Sequence, residues 1–407
     1  MSFLSPRRAT AGFPAWWALL TLACTWWLAV LAGCGGGVGE GGTGGQTVSA
    51  YGQGTITGFG SVIVNGVRYD DSAATVQDVD GNAKSSADLR LGMTVEVDSG
   101  DISGTVGSQT ATASRIRYSS ELLGPVAAVD VAASRLTVLG QTVQLTASTV
   151  LDERLLGGLG GVVVGQVLEV HAAYDTASGV YKATRLEPRS GASSYRLRGV
   201  VQQLDATARS LRIGTADFSY VSIGNPPTNL AVGSFVRLQL QTAAAGSTRW
   251  TVTAFGNAGS DVVDGRKARL KGLVTAFTSL ADFSVNGQRV NASGATVEGG
   301  SASSLALGLR VEVEGTVQAG VLRATEVDID TGDDDEPREF ELKGAIASLD
   351  TVNKRFTLRG VVVSYAVAGV VYKDGTVADL AVNRRVVVKG VLASDGVTLL
   401  AQEIEFD

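Results

Sequence analysis

This 407-residue chain predicts an all-β protein of five tandem small OB-like β-barrels, and three observations carry that expectation. Glycines recur with a period of about 73 residues in two series, Gly54, Gly124, Gly199, Gly272, Gly344 and Gly66, Gly140, Gly214, Gly287, Gly360. A third series, Gly92, Gly165, Gly233 and Gly308, is completed in the last copy by Asn383, and each member precedes an alternating apolar strand such as Val95-Glu96-Val97 or Val311-Glu312-Val313. No window after residue 50 carries a helical period, whereas period-two alternation puts Val and Leu on one face and polar residues on the other.

A period of this length suits a small domain better than one coil of a solenoid. Asn65-Gly66 and Asn286-Gly287 are type I′ hairpin signals, because both central residues need positive φ. A single sheet of this size leaves one face and both edges uncovered, so closure into an OB-type barrel is the first expectation and a compact β-sandwich the second. The third copy is the loosest, its alternation before Gly214 slipping by one position.

Residues 1–33 read as an address. Arg7 and Arg8 precede the apolar run Ala15–Ala32, and Leu31-Ala32-Gly33-Cys34 follows. That arrangement resembles the lipobox of bacterial lipoproteins, which implies acylation at Cys34. The competing reading is an uncleaved membrane anchor. Cys24 would leave with the signal, so the mature chain has no free thiol or disulfide. Losing Arg7 and Arg8 takes the net charge from −6 to −8, which argues against a general nucleic-acid binder. Residues 34–50, eight of them glycines between Gly35 and Gly45, read as a flexible tether.

The repeats then occupy 51–119, 120–190, 191–258, 259–331 and 338–407. Their short polar joints predict neighbours packed into a stiff rod. The opening of the first copy, Gly54-Thr55-Ile56-Thr57-Gly58-Phe59-Gly60-Ser61-Val62-Ile63-Val64-Asn65-Gly66-Val67, resembles the family called domain of unknown function 5666. The resemblance extends over all five copies, weakest in the third. It implies tandem β-barrels in a bacterial envelope lipoprotein and brings no catalytic or binding residue with it.

Candidate chemistry is sparse. His171, the single histidine, could serve as a general base or a metal ligand; its place at the end of the Leu168–Val170 strand favours a partly exposed strand residue. Asp78-Val79-Asp80-Gly81-Asn82 has alternating oxygen ligands like a calcium loop, but its glycine falls one place early and Leu89 stands where a glutamate is needed. The acidic run Asp328-Asp330-Asp333-Asp334-Asp335-Glu336 reads as a hydrated joint, with weak divalent-cation stiffening as the alternative. Glu96, Glu169, Glu312 and Glu314 fall on the polar face of the valine-rich strands.

Composition shifts towards binding in copy three, where six arginines face two aspartates between Tyr195 and Phe255. Trp250, Arg249, Arg237, Tyr195 and Arg196 are the candidate ligand-binding residues, since OB-type barrels bind oligosaccharides and single strands with aromatic and basic side chains. The sequence therefore points to a lipid-anchored protein of the bacterial envelope, on the outer membrane or the periplasmic face. Its expected role is non-catalytic binding or structure, without cofactor or metal. The expected partners are the membrane, through the N-terminal lipid, and a glycan or protein of the envelope. The rival is an envelope hydrolase acting on polysaccharide or cell-wall material through carboxylates.

Overall fold

The computed structural model describes residues 49–407, apart from 106, 156, 261, 331 and 333–335. The expected signal peptide, Cys34 and the glycine tether lie outside the described residues, as do Asp333, Asp334 and Asp335.

Copy four shows how one repeat closes. Its first strand, Lys267–Ser279, pairs antiparallel with Asp282–Val285, which pairs antiparallel with Gln288–Asn291. That third strand runs parallel to the last, Val321–Ile329. The last strand is antiparallel to the valine-rich strand Arg310–Gln318, which returns to the first strand. The five strands thus form a closed barrel, and the sandwich alternative falls because this final pairing leaves no second sheet. A short strand, Thr296–Glu298, and a single 3-10 turn, Ala302–Ser304, bridge the third and fourth barrel strands. The closing pair recurs in every copy: Ala50–Phe59 with Thr94–Ser99, Leu122–Asp130 with Val167–Asp175, Tyr195–Val200 with Phe235–Leu240, and Phe340–Asp350 with Arg385–Leu392.

Steric fit explains why two glycine series keep one period. In each copy the residue before the turn glycine folds over the opening glycine. A Cβ on Gly54 would lie 2.0 Å from Asn65, on Gly272 2.1 Å from Asn286, on Gly124 2.5 Å from Leu139 and on Gly199 2.9 Å from Ile213. In copy five the fit is looser, 3.5 Å to Arg359. The third series has left-handed backbone, with φ of 81°, 90°, 87° and 77° at Gly92, Gly165, Gly233 and Gly308 and 68° at Asn383. Asparagine tolerates that region better than other side chains, so the exception in copy five obeys the same rule. Each of these residues donates its N–H to a first-strand carbonyl, on Ile56, Val126, Val201, Val274 or Ile346, at 2.8–2.9 Å.

Copy three departs where the sequence alternation slips. Its first strand is split into Tyr195–Val200 and Gln203–Asp205. The short strand that lies parallel to the last one in the other copies is replaced by a loop through Pro226 and Pro227, which cannot donate to a ladder.

The barrels do not line up as a rod. The first strand of copy one runs parallel to Lys267–Leu270 of copy four and, farther along, to Glu341–Leu342 of copy five. Copies two and three join through Leu122 and Leu123 against Leu197 and Arg196. One apolar cluster is shared by copies one and five and a second by copies two and three, while Tyr51 of copy one enters the core of copy four. Residues 46–407 form a single compact unit. A barrel of about 65 residues buries only about 60% of its unfolded surface, so folding back to share cores stabilises each copy more than end-to-end contact would.

Candidate functional site at the junction of the barrels

The densest chemistry lies where copy two meets copies one and three. Eight side chains of alternating charge form a ladder: Arg154, Asp152, Arg185, Glu187, Arg189, Glu169, Arg196 and Asp80. Arg185 contacts Asp152 at 3.1 Å and pairs with Glu187, and Arg189 reaches Glu187 at 2.9 Å and Glu169 at 2.5 Å. Arg196 extends the ladder into copy three and pairs with Asp80 of copy one. Asp152, Arg185, Glu169 and Glu187 are all buried, so each charge depends on its neighbours. Burial pushes the Glu169 carboxyl up, but His171, Arg189 and Arg196 outweigh it and hold it below its usual range.

His171 sits beside this ladder and is fully buried, not partly exposed as its strand position suggests, because copy one closes over it. Its Nδ1 lies 3.2 Å from the Thr94 backbone N and 3.1 Å from Thr94 Oγ1. A backbone N–H can only donate, and the Thr94 hydroxyl donates to the Ser119 carbonyl, so Nδ1 accepts and the neutral ring carries its proton on Nε2. Nε2 has no hydrogen-bond partner among the described residues. Burial outweighs Glu169 and Glu187 and pushes the His171 pKa down, so the ring is neutral at pH 7.

Next to it, Arg198 bridges three copies. It donates to Glu121 at 2.8 Å, to the Ala258 carbonyl at 2.9 Å and to the Asn286 carbonyl at 2.5 Å, and stacks over Phe235 at 4.3 Å. Arg237 donates to the Asn257 carbonyl and Ser119 Oγ; burial, with Arg198 adding to it, pushes its pKa down to about 10. These groups, with Thr94, Glu96 and Lys271, line a cavity of about 50 Å³, large enough only for water. A larger cavity of about 420 Å³ lies between copies one, two and five, and a groove of about 1080 Å³ runs between copies two and five.

The family model described as Domain of unknown function (DUF5666) matches residues 124–187, 271–328 and 343–405. Three of the five barrels match this model. They are copies two, four and five; copies one and three, outside the matched segments, share their closing strand pair. Comparison with curated proteins gives no match.

Between and around the matched barrels, the residues singled out from composition do not assemble into one surface. Trp250 is 2% exposed and meets Tyr195 edge-on in the core of copy three, so neither ring presents a stacking face. Burial of an apolar body inside its own barrel outcompetes display here. Arg196 and Arg237 point into the junctions, whereas Arg249 lies exposed on the last strand of copy three. Of the arginines of copy three, Arg196 and Arg198 face acids of neighbouring copies, whereas Arg212 pairs with Asp217 of its own copy. The carboxylates on the valine strands are likewise engaged: Glu96 with Arg117, Glu312 with Arg269 and Lys271, Glu314 with Arg269. Asp78 accepts hydrogen bonds from Asp80 N, Asn82 N and Asn82 Nδ2 and pairs with Lys84, so its oxygens close a turn. Among the described residues no group of three or more His, Cys, Asp or Glu is arranged to hold a metal. Arg185, Glu187 and Arg189 alternate at every second residue, a local signal of the ladder, but their pairing with Asp152, Glu169, Arg196 and Asp80 arises only on folding.

Proposed function

We propose that this is a non-catalytic binding or structural protein of the bacterial cell envelope, anchored through lipid at Cys34 and presenting five fused barrels of OB type. The observation that carries the non-catalytic reading is the pairing of its buried acids. Glycosidic hydrolysis needs two carboxyl groups facing each other about 5–9.5 Å apart across a cleft. Here Asp152, Glu169 and Glu187 each face an arginine inside a packed junction. The hydrolase alternative has no comparable support. Closed five-stranded barrels, with the third strand parallel to the last and the fourth closing onto the first, support the OB comparison. The run Ala15–Ala32 with Leu31-Ala32-Gly33-Cys34 supports the lipid anchor.

Two measurements test the proposal. Cys34→Ser should move the protein from the membrane fraction to the soluble fraction; retention in the membrane fraction would overturn the lipid anchor. A thermal-shift screen against glycans, peptides of envelope proteins, nucleic-acid strands and divalent cations should give a concentration-dependent rise in Tm for a true ligand. Hydrolysis of a polysaccharide substrate by the purified chain would overturn the non-catalytic reading.

A further inference from the structure

We propose that the cavity between copies one, two and five binds a small amphiphile with one anionic head and an apolar body. The inference rests on the binding role proposed above and names a site and a ligand class for it. Three barrels supply its walls: Phe59 and Leu91 from copy one, Val150 and Leu151 from copy two, Val362 and Leu392 from copy five. A volume of about 420 Å³ lies within the range of roughly 300–1,000 Å³ typical of small-molecule pockets, and a mostly apolar wall with a few polar groups is the usual composition.

The polar groups decide the class of ligand. Arg185 lines the cavity, but its charge is consumed by Asp152 and Glu187. Arg90 and Arg359 are different. Arg90 donates from Nη1 to the carbonyls of Ala87 and Leu89. Arg359 donates from Nε to the Lys343 carbonyl at 2.8 Å and leans over the Phe59 ring at 5.7 Å. Neither has a carboxylate partner among the described residues, whereas Arg185, Arg196 and Arg198 at the junctions are paired with acids. Glu153 is the sole acid besides the ladder on this wall, so the two guanidinium groups leave it net positive. An anion at this rim gains charge-assisted hydrogen bonds, and a cation meets two like charges. The cavity shares Leu151, Glu153, Leu392 and Val397 with the groove between copies two and five, which gives a longer apolar body somewhere to lie.

Calorimetric titration of the full chain with octanoate, octyl sulfate, octanol and octylamine tests the site. Both anions should bind, and octanol and octylamine at least tenfold more weakly. Octanoate alone would mark a carboxylate head, and octyl sulfate alone a sulfate- or phosphate-like one; either result sustains the anionic class. Arg90→Gln with Arg359→Gln should weaken octanoate at least tenfold, and Val362→Trp, which fills the cavity, should abolish binding. Melting profiles of each variant show whether it still folds, and head-group selectivity is read on the unaltered chain in any case. Equal binding of octanol and octanoate, or no heat from either anion, would overturn the proposal. The envelope role would then still stand or fall on the ligand screen and the Cys34 fractionation.

Discussion

Where copy one meets copy five, Phe59, Val62, Phe340 and Phe356 belong to one continuous apolar cluster, and the ion pair across the seam, Arg68 with Glu341, is partly open to water. Where copy two meets copies one and three, eight charges alternate, from the exposed Arg154 and Asp80 at the ends through the buried Asp152, Arg185, Glu187 and Glu169 between them. The two junctions divide the labour. Apolar burial contributes about 25 cal/mol per Å² and tolerates small sliding. Buried ions contribute little net stability, since desolvation offsets most of their attraction, but they penalise any geometry that separates them. The first junction is a source of cohesion, and the second a source of relative orientation.

The comparison breaks first at its two centres. Arg185→Leu leaves Asp152 and Glu187 buried without their shared cation and should cost about 3–5 kcal/mol in urea unfolding of the full chain. Phe340→Ala should cost a similar amount, about 3–5 kcal/mol, through cavity formation in the apolar seam. A loss below 1 kcal/mol for Arg185→Leu would mean that the ladder neither holds nor orients the barrels.

Protonation separates the junctions more finely. The folded pKa of His171 lies below its unfolded value near 6.5, so the unfolded chain binds the extra proton and stability falls as pH drops below that value. The slope below that value cannot exceed about 1.4 kcal/mol per pH unit, the limit for one proton. His171→Asn should remove that slope and leave losses below about pH 4, where Asp152, held low by Arg154 and Arg185, takes up its proton. Unfolding curves between pH 4 and 8 provide the check; an unchanged slope in the variant would exclude His171 as the group responsible. The smallest effect is expected for Arg68→Ala, at about 1 kcal/mol or less, because that pair is partly screened by solvent.

Local features of this molecule were legible in the sequence and assembly was not. The glycine periods gave the repeat, and Asn65-Gly66 and Asn286-Gly287 gave their turns, because φ of 51° and 72°, and of 49° and 83°, restricts the residue choice at those positions. The replacement of glycine by Asn383 belongs to the same class of local constraint. By contrast, Arg196 and Arg237 carry no mark of which surface they face. Their partners, Asp80 and Ser119, are more than 100 residues away, and only folding reveals that these two arginines turn into the junctions. Trp250 misleads for a related reason: one aromatic satisfies a barrel core and a ligand platform equally well until the strand's facing is known.

The placement of Ala50–Phe59 bears on how the molecule is made. This strand lies against Lys267–Leu270 and Glu341–Leu342, so the earliest barrel to emerge from synthesis gains all its neighbours only when the latest two arrive. Contacts spanning more than 200 residues slow folding, and until they form, Tyr51 and Phe59 lack their covers. Maturation of this protein is therefore a closing step, in which the end of the chain seals its beginning.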